Sequence, residues 1–187
     1  MENKIGFIVF NHFAIWQVSL LQMFLKNAGY TIETLSINGG LVPTDGGILV
    51  STESLEMKDP HQYKMLLLPG GEITSELLEN EILKRFLKEY NGLIAASCAS
   101  SVLVAAAGVI EGEYTTMPHI KDHFAEYCSK GIFTNTDCVV SEHLITSKGF
   151  AHYEFMQAVL KKLGITELNS KIEQIALKLS RNQEIEG

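Results

Sequence analysis

The sequence predicts an α/β fold in three layers, a mostly parallel sheet with helices on both faces. Three observations predict it. The runs Ile5–Phe10, Lys64–Leu68 and Gly92–Ala96 are almost wholly apolar and of strand length, as strands buried on both faces require. Segments of helical spacing separate them, which implies right-handed crossovers between parallel strands. The chain has 187 residues, 46% hydrophobic and 20% charged, which suits one globular domain over 1–187.

Taken in order, Ile5–Phe10 is the first buried strand. From Ile15 to Asn27, Val18, Leu21 and Leu25 recur on one helical face, with Gly29 placed to cap the end. Thr31–Ile37 alternates as a strand, and the glycine-rich stretch Asn38–Ser51 reads as a hairpin-like excursion. Lys64–Leu68 is a second buried strand, stopped by Pro69-Gly70-Gly71. Ile73–Tyr90 has the spacing of one helix, with Leu77, Leu78, Ile82, Leu83 and Phe86 inward. Gly92–Ala96 is a third buried strand and Ser100–Ala107 a helix. Tyr114–Thr116 and Val139–Thr146 read as further strands, and Phe150–Leu163 and Glu167–Leu179 as helices. The polar tail from Ser180 to Gly187 is expected to fray.

Composition narrows the function. Fifteen Lys plus Arg against 22 Asp plus Glu give a net charge of −7. A polyanion-binding surface is therefore not expected, and a small-molecule partner is. Leu93–Ile110 holds 18 residues without a charge, near the lower limit of a membrane span. Its serines, alanines, glycine and Cys98 make it a poor one, so it reads as buried structure with no membrane partner. Met1-Glu2-Asn3-Lys4 has no basic leader pattern, and three cysteines without a CxxC pair argue against a disulfide framework. A cytoplasmic protein is expected.

The strongest local feature is a strand, then Ala96-Ser97-Cys98-Ala99-Ser100, then a helix. A nucleophile on such a turn is held clear of the sheet, with helix N–H groups beside it to favour a thiolate and a developing oxyanion. Cys98 is accordingly expected to be the most acidic of the three thiols. The alternative is a buried cysteine acting as a small hydrophobe.

Around this turn the sequence resembles the ThiJ/PfpI superfamily, whose fold is related to class I glutamine amidotransferases and is flavodoxin-like. The resemblance rests on Leu67–Gly71, Gly92–Ala99, Leu103–Gly112, Tyr114–Pro118 and Thr146–Gly149, and spans Lys4 to Leu163. It implies an exposed, reactive Cys98, with the backbone N–H groups of Gly71 and Ala99 forming an anion pocket around the sulfur. It also implies a homodimer, which the apolar side chains around the first helix (Ile15, Leu20, Leu21, Met23, Phe24) favour independently.

The departures are specific. Many relatives place a protonated glutamate after the first strand, and Gln17 stands there. Proteolytic members carry a histidine directly after the cysteine, where this chain has Ala99. Met117 replaces a histidine found before the proline, and Ser100-Ser101 replaces Gly-Pro. His119 and His12 are the candidate substitutes for the missing acid–base group, and Glu72 reads as an ordinary first-turn helix residue. His119 and His123 have i, i+4 spacing, which Cys128, Cys138 and His143 could complete as a zinc site. No HExxH glutamate follows His119, however, so neither metal nor cofactor is expected.

The functional expectation is a cysteine hydrolase or glyoxalase-like enzyme attacking small carbonyl or amide substrates through Cys98. A non-enzymatic redox sensor, or a binding module that has lost catalysis, is the alternative.

Overall fold

Three strands with no exposed face set the centre of the sheet. The structure, a computed structural model, describes residues 3–169, 171–181 and 183. Strand β1 (Lys4–Ile8) leads through a single 3₁₀ turn, Ile15–Gln17, into helix α1 (Ser19–Asn27) and strand β2 (Thr31–Ser36). Strands β3 (Gly40–Pro43) and β4 (Leu49–Ser54) form the expected antiparallel excursion. Strand β5 (Met65–Leu68), helices α2 (Ser75–Leu78) and α3 (Glu81–Glu89), strand β6 (Leu93–Ser97) and helix α4 (Ser100–Ala106) follow. The second half adds β7 (Glu113–Tyr114), α5 (Pro118–His123), β8 (Ile132–Phe133), β9 (Cys138–Val140), β10 (Leu144–Ser147), α6 (His152–Lys162), α7 (Ile165–Leu168) and α8 (Lys171–Arg181).

Eight strands form one sheet in the order β3-β4-β2-β1-β5-β6-β10-β9, and β7 and β8 pair separately. The neighbours from β4 across to β10 are parallel. The crossover β1–α1–β2 runs one way along the sheet and β5–α3–β6 the other. With right-handed connections, α1 and α3 therefore cover opposite faces. All four residues of β5, Met65, Leu66, Leu67 and Leu68, are fully buried, and each such side chain contributes about 1.5–3 kcal/mol by leaving water.

The stops are local. Pro69 has no N–H for the ladder after β5. Gly29, at φ +87°, closes α1, with its N–H on the Lys26 carbonyl and the Tyr30 N–H on that of Leu25.

Several expected boundaries move. Ile73–Tyr90 is two helices, because Asn80 Oδ1 accepts the Leu83 N–H at 3.0 Å and starts α3 afresh. Val139–Thr146 is a hairpin of β9 and β10, turned where the Ser141 N–H meets the Leu144 carbonyl. Only Tyr114 of Tyr114–Thr116 is a strand residue; Thr115 and Thr116 serve as hydrogen-bonding side chains instead. The last helix divides at Asn169 into α7 and α8. Ser180 and Arg181, expected in a frayed tail, close α8; residues 182 and 184–187 lie outside the described residues, as do Met1 and Glu2. The uncharged stretch Leu93–Ile110 is β6, a turn and α4, and no described helix is long and apolar enough to cross a membrane.

Candidate active site

Register brings three loops together at the carboxyl edge of the sheet. Leu68 pairs with Ala96, and Ser97 with Ser147, so the residues that follow β5, β6 and β10 emerge side by side. Chain order reverses direction about β1, and such a switch point is where parallel sheets bind ligands. Gly70, Cys98 and Gly149 meet there.

Cys98 sits at φ +55°, a left-handed conformation that costs an L-residue about 1–2 kcal/mol. Both of its backbone groups are held. Its N–H donates to the Ser147 carbonyl at 2.8 Å, and its carbonyl accepts from Thr116 Oγ1 at 2.7 Å. Ser100 Oγ donates to the Pro69 carbonyl and joins the elbow to the neighbouring loop. The serine that replaces glycine after the Cys-Ala pair thus has a structural use.

The sulfur meets three neutral donors: the Ala99 N–H, the Gln17 side-chain amide and the Gly149 N–H. Gln17 is 5% exposed, and its Oε1 accepts the Gly70 N–H at 2.8 Å, which leaves the Nε2 group for the sulfur. The two glycines permit the approach. A Cβ on Gly70 would lie 2.5 Å from the Cys98 Cβ, and one on Gly149 2.9 Å from Sγ. Burial pushes the Cys98 thiol above the ordinary cysteine value, while the three donors pull it back. Among the described residues, none of the groups that shift it is charged. Burial is the largest of these influences, and the three donors oppose it. Cys138 is pushed up to about 11, first by burial and then by Glu154 and Asp137, with no donor opposing. Cys98 is half-buried and Cys128 buried.

Gly71, His12 and His119 are not among the groups that shift the thiol. Gly71 packs against the first loop, where a Cβ would lie 2.7 Å from both the His12 carbonyl and Phe13 Cα. His12 is exposed, at φ +60°, with its N–H on the Pro43 carbonyl at 2.8 Å. His119 is exposed on α5, and neither imidazole is among the groups that shift the thiol. Glu72 belongs to a different cleft of about 470 Å³, shared with Asn11, Asn38, Thr74 and Asn80 and with no cysteine in its wall. Among the described residues, no three His, Cys, Asp or Glu side chains are grouped to hold a metal. Gly149 is a donor that sequence reasoning missed; a glycine two residues after a buried strand end is the available signal. His152 stands edge-on to Trp16 at 5.9 Å, and Trp16 Nε1 donates to Asp45 at 2.9 Å.

Comparison with known proteins agrees with this fold. The model of the DJ-1/PfpI family matches residues 3–162. The Bacillus subtilis (strain 168) protein called uncharacterized protease YoaZ is 24% identical over 177 residues, covering 87% of this chain and 84% of its own. The Caenorhabditis elegans glutathione-independent glyoxalase DJR-1.2 is 28% identical over 137 residues, covering 71% and 73%. Protein dj-1beta of Drosophila melanogaster is 30% identical over 162 residues, covering 81% and 83%. The crystal structure of Drosophila melanogaster DJ-1beta superimposes with a TM-score of 0.78 at 22% identity, over 95% of this chain and 97% of that one.

Proposed function

The chain belongs to the DJ-1/PfpI family, and from that premise we propose that it is an enzyme whose Cys98 thiolate adds to small carbonyl electrophiles. The observation that carries the proposal is a half-buried cysteine on a left-handed turn with three N–H donors converging on its sulfur. Donors placed there before reaction can stabilise charge on the sulfur and on an oxygen developing beside it, without reorganising.

With an ester or amide, a C–S bond forms, the C–O or C–N bond breaks as the leaving group takes a proton, and water then cleaves the thioester. With a 2-oxoaldehyde, addition gives a hemithioacetal. The proton of the aldehyde carbon is removed and one is returned to the neighbouring carbon, and water releases a 2-hydroxy acid. The sum is the addition of one water, with no external oxidant or reductant. Relatives named as a protease and a glyoxalase support both substrate classes. The three free cysteines fit a reducing compartment, the cytoplasm.

The test is turnover of methylglyoxal and of a panel of activated esters by wild type and Cys98→Ser. Wild type should consume at least one of them, with a loss of about 100-fold or more in the variant. Equal rates, or none in wild type, would overturn the proposal. A redox-sensing role is the second reading, because the same donors suit an oxygen added to the sulfur. Stepwise oxidation of Cys98 by peroxide without turnover would select it, and neither behaviour would leave a binding module.

A further inference from the structure

A buried cation lies beside the sulfur's third donor and is not used by the chemistry above. Lys148 is only 8% exposed, unusual for a lysine, and follows β10 directly. Its neighbours on both sides grip Cys98. The Ser147 carbonyl accepts the Cys98 N–H at 2.8 Å, and the Gly149 N–H lies on the sulfur. Its own side chain turns away, to the loop before β9. Lys148 Nζ donates to the Asn135 carbonyl at 2.9 Å and pairs with Asp137 Oδ1 at 3.4 Å, while its backbone N–H meets the Asp137 carbonyl at 2.9 Å.

That loop also anchors the other grip. Thr115 Oγ1 donates to the Thr136 carbonyl at 2.6 Å, and the adjacent Thr116 holds the Cys98 carbonyl. Residues 135–137 are therefore a common strut, tied by Lys148 to the donor on the sulfur and by Thr115 to the carbonyl of the left-handed turn.

We infer that Lys148 is a positioning residue for Cys98: by clamping residue 148 to Asn135 and Asp137, it fixes the Gly149 N–H on the sulfur. The inference rests on the reading of Cys98 as a nucleophile, but it concerns the thiolate and not the substrate. Lys148 acts through backbone placement, since its charge is not among the groups that shift the thiol. Breaking the clamp lets the 148–149 segment turn, and a thiolate held by two donors instead of three is less populated.

The experiment is the rate of Cys98 alkylation by iodoacetamide from pH 6 to pH 10, read by peptide mass, in wild type, Lys148→Met, Lys148→Arg and Asp137→Asn. Because only the thiolate reacts, Lys148→Met should slow labelling at pH 7 by about three- to tenfold and move the pH profile upward. Lys148→Arg offers donors to the same two acceptors and should stay within about twofold of wild type. Asp137→Asn keeps the Asn135 contact and should fall between them, which preserves the test if Lys148→Met does not fold. An unchanged profile in both Lys148→Met and Asp137→Asn would overturn the inference. So would labelling of buried Cys128 together with Cys98, which would make Lys148 a general stabiliser. Normal labelling in wild type without turnover of any electrophile would sink the proposed activity and leave this inference standing.

Discussion

Gln17 shows how one side chain can stand in for a chemically different one. A protonated glutamate offers one carbonyl oxygen and one O–H donor; the amide offers one oxygen and an NH₂ group. The Gly70 N–H fixes which end is which by taking Oε1, so the donor faces Sγ as a carboxyl O–H would. The difference is that the amide never ionises. With no charged group among those that shift it, the Cys98 thiol should titrate as a single-site curve, and nucleophilic rates should rise with pH as the thiolate fills. Gln17→Glu places a second titrating group against the sulfur, so the curve should split into two coupled steps. A carboxyl O–H also binds a sulfinate oxygen more closely than an amide does. Stepwise peroxide addition should therefore stop at the sulfinate in the variant and pass beyond it in wild type. Alkylation profiles across pH and intact masses during oxidation check both outcomes, and identical curves for the two proteins would contradict the geometry around residue 17.

Elements differ in how readily the sequence announces them, and the reasons are physical. The central strands β1, β5 and β6 are legible because burial on both faces leaves a continuous apolar run. Helix α1 is legible from the recurrence of Val18, Leu21 and Leu25 and from Gly29. The break between α2 and α3 is not, because Leu77, Leu78, Ile82 and Leu83 keep helical spacing across it. Only the Asn80 side chain, competing for the Leu83 N–H, reveals the new start. The β9–β10 hairpin is hidden for a related reason, its turn being three exposed polar residues, Ser141, Glu142 and His143, inside a run otherwise suited to one strand. At the site, the elbow at Cys98 is readable because strand, small residues and helix are contiguous. The Gly149 donor is harder to find, since it reaches the sulfur only through the register of β6 with β10, where Ser97 and Ser147 pair fifty residues apart in sequence.

At the scale of the whole molecule, apolar side chains stay exposed on α1, on the turn before it and on the β3–β4 hairpin. Leu21, Phe24 and Leu25 of α1 face the core, while Met23 remains 39% exposed, and Trp16 in the preceding turn 51%. Leu41, Ile48 and Leu49 on the β3–β4 hairpin are exposed too, and an edge strand with apolar side chains invites a partner. We propose a second copy of the chain as the occupant, and light scattering should give about twice the 20.7 kDa chain mass at micromolar concentration. A value near 20.7 kDa would contradict it. The proposed chemistry requires Cys98, held by neutral donors, to form a covalent bond with the substrate carbonyl. Rapid-quench mass spectrometry of the protein mixed with an activated ester tests it most directly. An acyl adduct on the peptide containing Cys98 should form before steady turnover and be missing in Cys98→Ser. Product released with no adduct on Cys98, or an adduct on Cys138 instead, would contradict it.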